Sequence, residues 1–301
     1  ASSRNDVIYI AIRRGPLAPP ESATDVFHVR QGSATADQFF STGFDPDLLY
    51  SRDATNAANN NFLGARLTGQ RDGLQNLMWT NDITAETATS GRGYFGAKSK
   101  GYYFDDTRSE SMNMAWGRAP NYFDVVAFTG TGSAGTHNHN LTVPAEMMWV
   151  KSRAGNGNWF VYHSGLGATK YLFLNETSAA GTASSVWNDT APTSSVFSVG
   201  GSVNQASASI AYLFASLDGI SKVGSYTGSN SGVVTVDCGF SAGARLVIIK
   251  RTDASGSWYI YDSVRGIVSS ADDPYLLLNV TDAQSNNTNN IEPHSSGFQL
   301  T

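Results

Sequence analysis

The chain has 301 residues, a formal net charge of −5 and a charged-residue content of only 15%. A nucleic-acid-binding protein needs a basic stripe to neutralise phosphates, and this composition does not supply one. The single cysteine, Cys238, excludes an internal disulfide or a thiolate metal cluster, and the apolar runs are too short to cross a bilayer as helices.

The first predicted element is a β-strand at residues 7–12, with the sequence VIYIAI. No charged segment followed by a long apolar segment precedes it, so we predict no signal peptide. Related strands recur as SMNMAWGRAP around Ala115 and AYLFASLDG around Ala215. This recurrence divides the chain into units of about one hundred residues.

The first unit is the most divergent. Its segment GFDPDLLYSR, from Gly43, parallels GFSAGARLVIIKR, from Gly239. Its segment LMWTNDITA, from Leu77, parallels the later YLFLNETSA. We therefore predict a degenerate first β repeat over residues 1–118.

The second and third units, predicted at residues 119–217 and 218–301, match each other more closely. WVKSRAGNGNWFVYHS corresponds to IIKRTDASGSWYIYDS, and YLFLNETSA corresponds to YLLLNVTDA. The short runs rich in Val, Ile, Phe, Tyr and Trp predict strands, and the turns AGNG and DASG predict hairpins. We expect Asn175 and Asn279 to end the same core strand in the same turn, with Asn81 as a third, degraded instance.

These features predict an all-β fold of tandem β-sandwiches, each of jelly-roll or immunoglobulin-like size. The third unit reaches SGFQLT without a counterpart of the strand IAYLFAS that closes the second unit. We favour the hypothesis that the chain is a piece of a longer array. In the alternative, residues 7–12 complete the third unit and close a ring, which would place Ile10 beside Phe298.

His137 and His139 are the candidate metal ligands. They stand two residues apart in THNHN, so a strand would place both rings on one face, a spacing that metal sites use. No cysteine or carboxylate cluster accompanies them, and we favour two solvated histidines. We predict no metal and no cofactor.

No catalytic residues are predicted, and we expect the protein not to be an enzyme. His163, Ser164 and Asp189 have the side chains of a hydrolase triad, but the chain lacks a GxSxG turn and the third unit replaces His163 with Asp262. Pairs of aspartates that could cleave a glycosidic bond lie in turn-like contexts, where turn formation or loosely bound calcium explains them better. These pairs are Asp45 with Asp47, Asp105 with Asp106, and Asp272 with Asp273.

Tryptophan side chains are candidates for stacking on sugars. Trp159 and Trp258 recur at one repeat position beside a turn, which favours a core role. Trp187 has no counterpart in the third unit and lies in the polar stretch SSVWNDTAPTSS. We select Trp187, with Trp116 second, as the glycan-contact candidates, although we favour core packing for Trp187.

The chain resembles a phage family at RAPNYFDVVAFTGTG, HNHNLTVPAEMMWVKSR, NWFVYHSGLGATKYLFLN and IIKRTDASGSWYIYDS. The family is an uncharacterised tandem-repeat domain of virion structural proteins, tail-fibre-like or lectin-like, from marine and other aquatic tailed phages. The resemblance is strongest over residues 119–301 and weaker over residues 30–110. It implies a further closing strand after SGFQL, and it supplies no established catalytic residues.

Together these observations predict a structural and adhesive component of the virion, in a fibre, a tail tip or an appendage of the capsid. Repeated modules would bind a host-surface glycan weakly and gain avidity from their number. We expect other virion proteins, a host glycan and further copies of the chain as partners, and neither nucleic acid nor membrane insertion. A purely architectural decoration or connector is the first alternative, and a polysaccharide depolymerase is the second.

Overall fold

The computed structural model describes residues 18–32, 38–71, 74–89, 95, 100–104, 110–229, 231–269, 271–286 and 289–301. Almost all regular structure within these ranges is β-strand, and all strand pairs are antiparallel. Among the described residues, no helix has the length and apolar character needed to cross a membrane. The strands fall into three groups along the chain.

The first group has nine strands and two 3-10 helices, Ala23–Asp25 and Arg66–Thr68. Its main sheet has the order β1-β9-β3-β4-β6-β5, with β7 also paired to β6, and β2 pairs separately with β8. The strands are β1 (Phe27–Gln31), β2 (Gln38–Ser41), β3 (Leu48–Asp53), β4 (Phe62–Ala65), β5 (Gln70–Arg71), β6 (Leu74–Trp79), β7 (Thr87–Thr89), β8 (Gly101–Phe104) and β9 (Ser111–Trp116).

The second group has eight strands and one short helix, α1 (Ser184–Trp187). Its main sheet has the order β10-β17-β12-β13-β14-β15, and β11 pairs separately with β16. The strands are β10 (Phe123–Thr129), β11 (Gly135–Asn138), β12 (Met147–Ser152), β13 (Phe160–His163), β14 (Lys170–Phe173), β15 (Gly181–Thr182), β16 (Val196–Val199) and β17 (Ala208–Phe214).

The third group has six strands in two three-stranded sheets, ordered β19-β20-β21 and β18-β23-β22. The strands are β18 (Val234–Asp237), β19 (Leu246–Lys250), β20 (Trp258–Asp262), β21 (Leu276–Leu277), β22 (Ile291–His294) and β23 (Gly297–Leu300). The order β19-β20-β21 parallels β12-β13-β14 and β3-β4-β6, but no described strand takes the place that β17 and β9 hold beside them. Residues 7–12, the candidates for that place, lie outside the described residues, as does the predicted contact of Ile10 with Phe298.

Successive side chains of a strand point to opposite faces, and the main sheets of the first and second groups cover a core on each face. On β12, Trp149 faces a core shared by all three groups, whereas Met148 and Val150 face a core within the second group. Tyr50 of the first group and Trp258 of the third group enter the same shared core. The other faces of the first and third groups also cover cores of their own. The prediction of an all-β, sandwich-like fold is confirmed, while the division into repeats at residues 118 and 217 stays a prediction.

Candidate functional site at the junctions between strand groups

The two tryptophans chosen from the sequence lie inside the protein. Trp187 is fully buried, and its indole Nε1 donates a 3.1 Å hydrogen bond to the carbonyl of Lys170. Trp116 is also buried, with its ring 5.1 Å from that of Phe27. Both indoles are buried, so Trp187 and Trp116 are wrong as glycan contacts, and the core packing favoured for Trp187 is confirmed. The short helix α1 turns Trp187 inward despite its polar neighbours.

His137 lies on β11 and His139 directly follows that strand, and both rings lie on the side of Phe197. His137 Nε2 is 3.0 Å from Asn204 Oδ1. His139 Nδ1 accepts the backbone N–H of Leu141, so Nε2 carries the proton and donates to a backbone carbonyl. His139 is buried rather than solvated, and burial lowers its pKa. Among the described residues, no group of three His, Cys, Asp or Glu side chains could hold a metal ion.

Two aspartates of the turn-like pairs, Asp47 and Asp273, hold neighbouring loops. Asp47 accepts the backbone N–H of Arg118 at 2.9 Å and pairs with its guanidinium at 3.2 Å. Asp273 is fully buried and accepts the backbone N–H groups of Val268, Asn290 and Ile291. Asp105 and Asp106 lie outside the described residues.

An asparagine ends one strand in each group, as predicted, two residues after the last strand residue of β6, β14 and β21. Its Oδ1 accepts the backbone N–H of the residue that precedes or begins the neighbouring strand. The three bonds are Asn61 N–H to Asn81 (2.7 Å), Trp159 N–H to Asn175 (2.8 Å) and Trp258 N–H to Asn279 (2.8 Å).

The residue whose backbone N–H donates to this asparagine also contacts another group through its side chain. It donates to the carbonyl of the residue two positions before that group's asparagine. The bonds are Trp159 Nε1 to Trp79 (2.8 Å), Trp258 Nε1 to Phe173 (2.9 Å) and Asn61 Nδ2 to Leu277 (2.9 Å). The second group thus contacts the first at what we name the first junction. The third group contacts the second at the second junction, and the first group contacts the third at the third junction.

A basic side chain also crosses each junction, and it lies on β12, β19 or β3. It donates to the carbonyl two residues after the asparagine of the other group. The donors and acceptors are Lys151 with Ile83, Lys250 with Thr177, and Arg52 with Thr281. Burial lowers the pKa of Lys151, which is 1% exposed, to about 8 and also lowers that of Lys250.

One backbone hydrogen bond repeats at the three junctions. Its donor lies five residues after the asparagine, and its acceptor lies two residues after the basic residue. The bonds are Glu86 to Arg153 (2.9 Å), Ala180 to Thr252 (2.9 Å) and Gln284 to Ala54 (2.7 Å). Because all three junctions carry the same set of contacts, the three groups form a closed ring around the shared core.

The junctions differ in their side chains. At the first junction, Arg153 forms a two-pronged ion pair with Glu86, with N–O distances of 2.7 and 2.8 Å. The corresponding residues of the second junction are Thr252 and Ala180, which form no such pair. A cavity of about 530 Å³ lies at the second junction. Its lining consists of Asn175, Glu176, Thr177, Ser178, Ser255, Asn279 and Val280.

A family described as "Domain of unknown function (DUF7483)" matches residues 118–301, more than half of the chain. The chain belongs to this family. Comparison with curated proteins and with solved structures gave no match.

The DUF7483 region begins just after β9 and contains the second and third groups. It therefore includes the whole second junction and the cavity. The first group lies outside the region, yet Asn61 and Arg52 make the same contacts that Trp258 and Lys250 make within DUF7483. The recurrence of Lys151 and Lys250 at one repeat position was the sequence signal for these contacts, although their acceptors are carbonyls that carry no sequence signature.

Proposed function

We propose that the chain is a structural and adhesive module of a phage particle, which attaches weakly to a host-surface glycan and gains strength from many copies. The closed set of three equivalent junctions carries this proposal. A ring whose groups are all held to one another keeps its loops at fixed spacing, so binding costs little ordering entropy. Multiple copies on one particle then convert weak contacts into avidity.

The location on a virion is supported by the resemblance to tandem-repeat proteins of tailed phages. Low charge and a surface rich in hydroxyl and amide groups suit contact with glycans and with other virion proteins. We further propose a homo-oligomer, because avidity requires several copies at one place.

Attachment is favoured over catalysis because several described carboxylates bind groups of the protein itself. Asp47, Asp262 and Asp273 each accept backbone N–H groups, and Asp47 and Asp262 also pair with arginines. A glycosidase needs two carboxyl groups about 5 to 9.5 Å apart that face a bound sugar. Carboxylates that tie loops together serve the scaffold instead.

The test is binding of the full chain to intact bacteria, with the chain biotinylated and presented either as a monomer or on streptavidin tetramers. Flow cytometry on a panel of aquatic strains, with and without their surface polysaccharide, gives the readout. We expect saturable binding of the tetramer that exceeds monomer binding at least ~10-fold and needs the polysaccharide. Absence of tetramer binding on every strain would refute adhesion and favour the architectural alternative, whereas release of reducing ends would favour the depolymerase.

A further inference from the structure

The cavity at the second junction is large enough for a small ligand. Its volume of about 530 Å³ lies within the usual range for ligand pockets, roughly 300–1,000 Å³, but it is a shallow, open depression in which a ligand would keep contact with solvent. It is formed by the loop after β14, the loop after β21 and the turn before β20. Both groups of the DUF7483 region contribute to it, so the ligand would touch two units at once.

Its lining presents polar and apolar surface in similar shares. The described lining residues carry three hydroxyl groups, two amides and one carboxylate besides the aliphatic Val280, and both amides are already bonded to neighbouring groups. The Thr177 and Ser255 side chains are exposed, and their hydroxyls make no hydrogen bond to another residue in the part of the chain that the structure describes. A hydroxyl can both donate and accept hydrogen bonds, so the hydroxyls of the protein and of a sugar can pair in either direction. An apolar ligand would instead leave these groups without partners.

The lining is held rigidly before any ligand arrives. The carbonyl of Thr177 accepts both the backbone N–H of Gly256 (2.8 Å) and Nζ of Lys250 (3.2 Å) across the junction. Asn158 Nδ2 and Ser178 Oγ fix the two carboxylate oxygens of Glu176, at 2.9 and 2.8 Å. A preorganised site loses little entropy on binding.

The charges around the cavity favour a neutral ligand. Glu176 places a carboxylate in the lining, and none of the described lining residues is basic. Lys250 donates to the carbonyls of Thr177 and Arg251, and Arg251 itself pairs with Asp253 at 2.7 Å. An acidic sugar would meet Glu176 without a compensating cation.

We propose that this cavity binds one or two units of a neutral carbohydrate. The inference rests on the proposed adhesive function and names its ligand class and its site. The residues that carry the site are Asn175, Glu176, Thr177, Ser178, Ser255 and Asn279.

The test uses the full chain on streptavidin tetramers against an array of neutral, amino and acidic glycans, followed by calorimetric titration of the strongest binder. The variant is Ser255→Leu, which fills the cavity from an exposed turn without adding a stacking ring. The matched control is Asn156→Leu, at the corresponding exposed turn position of the first junction. We expect neutral glycans to bind, S255L to weaken binding at least ~10-fold, and N156L to bind within ~2-fold of the wild type.

Both variants should keep the melting temperature of the wild type, because both positions are exposed. If S255L binds the glycan as well as the wild type, or if only acidic glycans bind, the site is overturned while adhesion stands. If the wild type binds cells but no glycan, the site is again overturned and adhesion stands. If it binds neither, both proposals fail.

Discussion

Trp258 donates its indole Nε1 to the carbonyl of Phe173, 2.9 Å away in the neighbouring strand group. Trp159 makes the equivalent bond at the first junction, and Asn61 makes it at the third. At the third junction an amide donor thus replaces the indole donor, and the hydrogen bond is still formed. Conservation of the contact under a change of residue type indicates that the contact, rather than the tryptophan, is what the ring requires.

Replacing Trp258 with Phe should destabilise the protein through the lost junction bond. The variant keeps an aromatic ring in the core but leaves the carbonyl of Phe173, in a partly buried position, without this donor. The matched control is Trp149→Phe, because Trp149 Nε1 is buried and has no hydrogen-bond partner among the described residues. We expect W258F to lose about 1–2 kcal/mol more unfolding free energy than W149F in urea titrations. Equal losses in the two variants would show that the bond contributes nothing.

Asn61→Ala should loosen the third junction. Its Nδ2 lies 2.9 to 3.0 Å from the carbonyls of Leu277, Leu278 and Val280, which share its two hydrogens, so the change removes both donors while the carbonyl of Leu278 keeps the Thr80 hydroxyl. We expect a loss of about 2–4 kcal/mol and faster amide hydrogen exchange in residues 276–280. Asn76→Ala, which removes a 2.7 Å bond to Thr68 within the first group, is the control. Unchanged exchange at residues 276–280 in N61A would contradict ring closure by this contact.

Strand-end asparagines could be predicted because their signal is local. Asn175 and Asn279 stand at the same place in two similar segments, and the side chain bonds to a backbone group near the end of the strand. The third junction gave no such signal. Arg52 and Asn61 are ordinary polar residues in the divergent first unit, and their acceptors lie more than two hundred residues away.

Trp187 shows a different limit. Its polar neighbours made it the candidate for an exposed contact although core packing was favoured, and only the structure shows that a single turn of helix places the ring against Tyr162. The cavity was equally invisible in the sequence. Its lining comes from three separate loops whose Ser, Thr and Asn residues look like ordinary turn residues.

Lys151 should make stability rise with pH in the mildly alkaline range. Burial lowers its pKa from 10.5 to about 8 in the folded protein. Between these values the unfolded chain keeps a proton that the folded chain has lost, so unfolding free energy increases with pH, by at most about 1.4 kcal/mol per unit. The neutral amine still has two hydrogens for the carbonyls of Ile83 and Gly157.

Urea denaturation of the wild type and Lys151→Met at pH 7.5, 9 and 10 isolates this effect, because other titrating groups are common to both proteins. The stability of the wild type relative to K151M should increase steadily over this series. Lys250→Met is the control, and since Lys250 is less buried, the corresponding increase should be smaller. A difference between wild type and K151M that stays constant with pH would show that Lys151 has an ordinary pKa.

Removal of the first group should destabilise the DUF7483 region. Residues 118–301 alone retain the second junction but lose the first and third, and the face of the shared core that meets Tyr50, Met114 and Trp116 becomes exposed. We expect a melting temperature at least ~10 °C below that of the full chain, together with binding of a hydrophobic dye, because exposed apolar surface both weakens folding and binds such dyes. Calorimetry of the two proteins at equal concentration gives the comparison. A fragment that melts in one sharp transition at the temperature of the full chain would show that two groups suffice and that ring closure adds no stability.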